Sequence, residues 1–181
     1  VQACRRSGVP VFVDPKGKAW ERYAGTTCIT PNTAELEMVI DKRIADSDDL
    51  DPVAQKLCRR LSLDWLLVTR GPQGMTLFGD GASPLTIAAR AREVFDVSGA
   101  GDTVIATLAA CVAAGMTFGE ATAVANTAAG VVVGKLGTQP IRWPELERAL
   151  ADGRHRRPAS TLWKVADVEE ATVRIARWRQ M

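Results

Sequence analysis

Five residues, Trp65-Leu66-Leu67-Val68-Thr69, form an apolar run without polar alternation. A strand of that kind keeps both faces from water, as in a parallel sheet covered by helices. A chain containing one must supply the helices that cover it. The surrounding pattern does so. Residues 11–14 and 27–30 read as strands, the first with Pro10 near its edge. Residues 33–40 read as a short helix entered at Asn32, a good N-cap. The acidic stretch 46–51 reads as a solvated loop leading to a helix that starts at Pro52 and continues over 53–61. Residues 75–78 and 85–88 read as a hairpin around Gly79-Asp80-Gly81. Two long apolar helices are predicted near 101–114 and 118–134, with a shorter one after Pro144. Alternating strands and helices predict an α/β fold with a mostly parallel sheet flanked by helices.

Ligands in such sheets bind at the carboxyl ends of the strands. Polar residues cluster at those ends: Asp14 and Lys16 after one strand, Asn32 and Glu35 after another, and residues 69–74 after a third. A fourth stretch, Asp96-Val97-Ser98-Gly99-Ala100-Gly101-Asp102-Thr103, runs straight into a helix. Glycines at 99 and 101 let the backbone turn tightly and approach a ligand closely. The helix start offers unsatisfied N–H groups and a positive dipole end. Asp102 falls in the first turn, where a carboxylate is favoured and can take a proton from a hydroxyl. From local sequence alone, Gly-Ala-Gly also suits a plain turn, Asn32 with Glu35 a plain capping box, and Lys16 a solvated loop.

These stretches resemble, in order, the elements of the ribokinase-like (PfkB-type) carbohydrate kinases. Residues 96–103 are similar to the family's C-terminal signature. The resemblance implies an anion hole at Gly99, Ala100 and Gly101, and a base at Asp102 that deprotonates the sugar hydroxyl. Pro31-Asn32-Thr33-Ala34-Glu35 resembles the Asn-x-x-Glu element, which implies a Mg²⁺ and phosphate role for Asn32 and Glu35. Val68-Thr69-Arg70-Gly71-Pro72-Gln73-Gly74 resembles the nucleotide loop, implying ATP contacts at Thr69, Gly71 and Gly74. Asn126 falls in the helix that flanks adenine in this family. Asp96, with carbonyls near Ser98 and residues 133–137, resembles a monovalent-cation site, so K⁺ is a further expected ligand. Lys16 is expected to hold a phosphate as a point charge.

Within the family, Asp14-Pro15-Lys16-Gly17, Glu21-Arg22-Tyr23 and residues 128–138 resemble the kinase module of bifunctional ADP-heptose synthesis proteins. That resemblance implies ATP-dependent phosphorylation of D-glycero-β-D-manno-heptose 7-phosphate, a step toward the lipopolysaccharide core. A kinase for a fructose phosphate or a nucleoside, or a non-catalytic nucleotide-binding fragment, remains open at this point. The expected organisation is the C-terminal portion of a sugar kinase over 1–152, without the N-terminal strands and lid. A linker would follow over 153–166, then an amphipathic helix over 167–181 leading toward an adenylyltransferase domain.

Composition narrows the remaining classes. The chain has 181 residues, 46% hydrophobic and 24% charged, with a net charge of +2. That balance suits a globular cytoplasmic enzyme and does not argue for nucleic acid. No apolar run reaches membrane-spanning length. Four scattered cysteines suggest reduced, buried thiols rather than zinc or disulfides. The single histidine, His155, sits among arginines in the expected linker. The kinase relatives often dimerise through lid strands that this sequence lacks, so a homodimer stays open at this point.

Overall fold

The computed structural model describes residues 1–45, 47–79, 81–89 and 95–154. The chain divides into two compact units, residues 1–88 and 89–181.

The first unit holds a five-stranded sheet in the order β1 (Phe12–Val13), β2 (Cys28–Ile29), β3 (Trp65–Thr69), β4 (Met75–Gly79), β5 (Leu85–Ile87). β1, β2 and β3 run parallel. β4 and β5 are antiparallel to their neighbours. The sheet is therefore mixed rather than mostly parallel. The expected hairpin pairs not only with itself but with β3, because a three-residue 3₁₀ turn over Gly71–Gln73 is too short to cross the sheet.

Helix α1 (Gln2–Arg6) precedes β1, and Gly8 follows with φ of 68°. Helix α2 (Thr33–Ile40) starts at Asn32 as its sequence predicts. Helix α3 (Ser47–Leu61) begins earlier than expected and carries Pro52 inside it. Two forces extend it. Carboxylates in the first turns suit the positive end of the helix dipole. Leu50, 1% exposed, continues the buried stripe of Ala54, Leu57, Cys58 and Leu61 by one turn. Burying a leucine contributes about 2 kcal/mol, which offsets much of the bond lost at the proline.

β3 is covered on both faces. Leu66 and Val68 join a core with Trp20, Ile29, Leu36, Leu50, Leu57 and Phe78. Leu67 points the other way, beside Leu77 across the ladder, and is equally inaccessible. Trp65 lies opposite Gly79, where any Cβ would come within 2.6 Å of the indole ring.

The second unit contains α4 (Ala100–Ala113), α5 (Phe118–Val132) and α6 (Trp143–Arg154). Val104, Leu108 and Cys111 form the buried face of α4. α5 is rich in alanine and buried on most of its surface, which permits close helix approach. Thr117 and Glu120 close a capping box at its start. α6 runs through Gly153 to Arg154, where the linker was expected to begin. His155, the rest of the expected linker and the expected 167–181 helix lie outside the described residues. Among the described residues, no helix is long and apolar enough to cross a membrane. The cysteines are free thiols, and burial raises the Cys111 pKa to about 11.

Candidate functional site

In the first unit, parallel pairing brings the ends of β1, β2 and β3 side by side. A backbone bridge joins Asn32 to Thr69, and the Thr69 N–H donates to the Pro31 carbonyl at 2.9 Å. The Thr33 hydroxyl donates to the Thr69 carbonyl at 3.4 Å. Asn32 and Glu35 close a reciprocal capping box: Glu35 N–H to Asn32 Oδ1 at 2.8 Å, Asn32 N–H to Glu35 Oε2 at 2.9 Å. The other carboxylate oxygen, Glu35 Oε1, accepts from Lys16 Nζ at 2.8 Å. The same ammonium lies 2.9 Å from Asp14 Oδ2. Hydrogen bonds to Glu35 and then Asp14 hold the Lys16 pKa above the ordinary lysine value.

The backbone at Lys16 is clamped as well. Its N–H donates to the Tyr23 hydroxyl at 3.2 Å, and Arg22 donates to its carbonyl. The Arg22 guanidinium sits 4.7 Å from the Tyr23 ring centroid, within cation–π range. Thr69 leads into a tight turn in which Arg70 N–H bonds to the Gly74 carbonyl at 2.8 Å. Gly74 adopts φ 88°, ψ −131°, a conformation that side chains resist. Gly71 is exposed, with open space around its Cα.

The second unit carries the glycine motif. Gly99 is the N-cap of α4, with φ 78° and ψ 0°. Thr103 N–H and its hydroxyl both bond to the Gly99 carbonyl at 2.9 Å. The Ala100 N–H is taken by the Val97 carbonyl at 3.2 Å. The amides of Gly101 and Asp102 have no backbone acceptor among the described residues, as expected one turn into a helix. The Gly99 amide likewise has no backbone acceptor among the described residues, so the donors available to an anion sit at 99, 101 and 102 rather than at Ala100.

Asp102 is exposed and lines a groove of about 410 Å³ with Gly99, Thr103, Thr107, Thr138 and Ile141. The far wall of this groove is stapled. Lys135 Nζ donates to the Pro140 carbonyl at 3.0 Å and to Glu145 Oε2 at 2.7 Å, and Arg142 N–H donates to the same oxygen at 2.7 Å. Those bonds, Lys135 first, lower the Glu145 pKa.

Asp96 accepts the Ser98 N–H at 2.8 Å, which lowers its pKa and shapes the loop before α4. The Phe95 and Asp96 amides both donate to the Val133 carbonyl, at 2.8 and 3.3 Å. That carbonyl, expected to face a cation, is therefore occupied by two N–H donors. Asn126 is 3% exposed on α5 and does not line the Asp102 groove.

Sequence reasoning placed Asp14 at the strand-end rim and used Arg22, Tyr23 and Lys135 only for the family resemblance; it assigned none of them, nor Glu145, a specific contact. For the first three the signal was local, since Asp14-Pro15-Lys16-Gly17 and Glu21-Arg22-Tyr23 stand close together. The Lys135–Glu145 staple left no periodic trace.

Residues 1–146 match the model of the pfkB family of carbohydrate kinases. The chain belongs to that family. It is 55% identical over 150 residues to the bifunctional protein HldE of Stutzerimonas stutzeri, covering 83% of this chain and 32% of that protein. HldE of Pseudomonas aeruginosa is 54% identical over the same length. This chain thus spans about a third of the length of these relatives. Among solved structures, Arabidopsis thaliana ribokinase complexed with ribose and ATP superposes with a TM-score of 0.74 at 27% identity. That match covers 82% of this chain and 50% of the ribokinase. Phosphofructokinase-2 from Escherichia coli, solved in complex with potassium, gives the same TM-score at 19% identity, over 83% of this chain and 50% of its own. The fold is ribokinase-like.

Proposed function

We propose that the chain carries the phosphoryl-transfer part of a kinase that uses ATP to phosphorylate D-glycero-β-D-manno-heptose 7-phosphate at its anomeric hydroxyl. The observation that carries this reading is the high identity to HldE proteins over 150 residues, with an exposed Asp102 lining a groove at the start of α4. Phosphoryl transfer needs alignment, charge neutralisation and a base. Asp102 is the base. The Gly101 and Asp102 amides, with the Gly99 turn behind them, suit an oxyanion at the helix start. The bare approach at Gly101, where a Cβ would meet nothing within 4 Å, fits a phosphate oxygen close to the backbone.

In the first unit, Thr69, Gly71 and Gly74 are the proposed nucleotide contacts. The hard carboxylate oxygens of Glu35 fit the chemistry of Mg²⁺ or its bound water. When bound, that ion supplies charge neutralisation on the phosphates. Asn32 holds Glu35 in place through the capping box. Asp96 retains a carboxylate beside the α4 loop that suits a monovalent cation such as K⁺. The relatives' bifunctional name fits a second activity joined to this one, which we read as nucleotidyl transfer to the sugar 1-phosphate.

The test is transfer of phosphate from ATP to heptose 7-phosphate and to fructose 6-phosphate, with the native protein and Asp102→Asn. The heptose should be preferred, and the variant should lose about a hundredfold to ten-thousandfold in turnover. Native turnover in the variant would remove Asp102 as the base. A preference for fructose 6-phosphate would overturn the substrate assignment.

A further inference from the structure

The Lys16 ammonium sits between two carboxylates, 2.8 Å from Glu35 Oε1 and 2.9 Å from Asp14 Oδ2. Each Glu35 oxygen already has a partner: Oε2 accepts from the Asn32 amide and Oε1 from Lys16, so a cation arriving at Oε1 meets the ammonium. Asp14 directly follows β1 and Glu35 lies in the first turn of α2, which follows the adjacent parallel strand β2, and no other cation is paired with them among the described residues. The Lys16 side chain is 66% exposed, against 30% for Asp14 and 21% for Glu35. Its stem is therefore free to swing while the carboxylates stay put. The backbone beneath it is fixed by Tyr23 and Arg22, so the ammonium moves about an anchored Cα.

We propose that Lys16 is an internal counter-ion that occupies the cation position at Glu35 and Asp14 in the ligand-free chain, and exchanges onto phosphate when a divalent cation arrives with its nucleotide. The inference rests on the reading of Glu35 as the cation-facing carboxylate. It adds a competition that the reading does not contain. An ammonium and a divalent cation cannot share Oε1 at contact distance without repulsion of several kcal/mol at low screening, or about 2 kcal/mol in water. Lys16 must leave. Once released, it is a flexible point charge beside the anion that accompanied the cation. The chain thereby keeps two carboxylates neutralised while empty and gains a phosphate contact when loaded. Lys16 acts here as an exchanging counter-ion, and its effect on metal affinity has the opposite sign to that of an ordinary phosphate-binding lysine.

Mn²⁺ binding without nucleotide, read from the paramagnetic resonance signal of the free ion, separates the cases. Lys16→Met should bind Mn²⁺ about tenfold more tightly than the native protein. Lys16→Arg should stay near the native value, since it keeps the charge. With nucleotide present, Lys16→Met should raise the KM for Mg·ATP about tenfold while kcat changes by less than about threefold. Mn²⁺ affinity in Lys16→Met equal to or weaker than native overturns the proposal, as does equal tightening in Lys16→Arg. Glu35→Gln tells the two ideas apart. It should weaken Mn²⁺ binding. Native affinity in that variant sinks the cation-facing role of Glu35 itself, whatever Lys16 does. Lys16 is mostly exposed, so these variants are expected to fold, and a thermal melt checks that directly.

Discussion

Gly101 offers a way to separate folding from function at one position. It lies inside α4, its φ is not positive, and a Cβ built there meets nothing within 4 Å. Folding gives no reason for glycine at this place. Replacing it with alanine removes backbone entropy from the unfolded chain and should stabilise the helix by up to about 1 kcal/mol. For a chain of this size that is roughly 2–4 °C in melting temperature. The methyl would stand over the amide that faces the proposed phosphate. Loss of one such donor typically costs about a hundredfold or more in turnover. Gly99→Ala is the paired control. There φ is 78°, and the Cβ would lie 2.9 Å from Thr138 Cγ2. Thr138 is exposed and can turn aside, so the cost is mostly the left-handed backbone, about 1–2 kcal/mol. Both variants should lose activity, but their melting temperatures should move in opposite directions. The measurements are a thermal melt and phosphoryl transfer from ATP on the same samples. A Gly101→Ala protein that is stabilised and fully active would refute the idea that glycine is kept there for ligand approach. A destabilised one would refute the reading of the helix.

Three further outcomes test the packing and the electrostatics. Gly79→Ala should cost about 1–3 kcal/mol, because the new Cβ would fall 2.6 Å from Trp65 Cζ3 in the antiparallel ladder; chemical denaturation followed by tryptophan fluorescence reads it. Thr26 is fully buried and its hydroxyl has no hydrogen-bond partner among the described residues, so Thr26→Val should raise stability by about 1 kcal/mol in a denaturant titration. Glu145 has a lowered pKa in the folded chain, chiefly through Lys135. Its contribution is therefore present above the ordinary glutamate value of 4.5 and fades as pH falls through the lower folded value. Melting curves of native protein and Glu145→Gln should differ at pH 7 and converge in acid. A difference that persists unchanged at pH 2 counts against the staple.

Much of the local structure was legible because its causes are local. Asn32 and Glu35 stand three residues apart, which is the reach of a capping box, and α2 begins there. The unbroken apolar run 65–69 became a strand buried on both faces. Gly99 took the left-handed turn that a glycine before a helix permits. Local acidity misled at 47–51, where the burial of Leu50 by a distant core drew the helix back past a proline.

The sequence by itself determined the α/β character, the positions of the strand-end polar residues and the glycine turn before α4. All of these follow from propensity and periodicity within a few residues. Only the tertiary structure decided that Lys16 meets Glu35 nineteen residues away, that Trp65 covers Gly79, and that Lys135 ties down the wall of the Asp102 groove. The first two contacts depend on which strands pair and in what register, and the third on how the stretch after α5 folds against α6, matters of through-space packing that short-range chain chemistry does not encode.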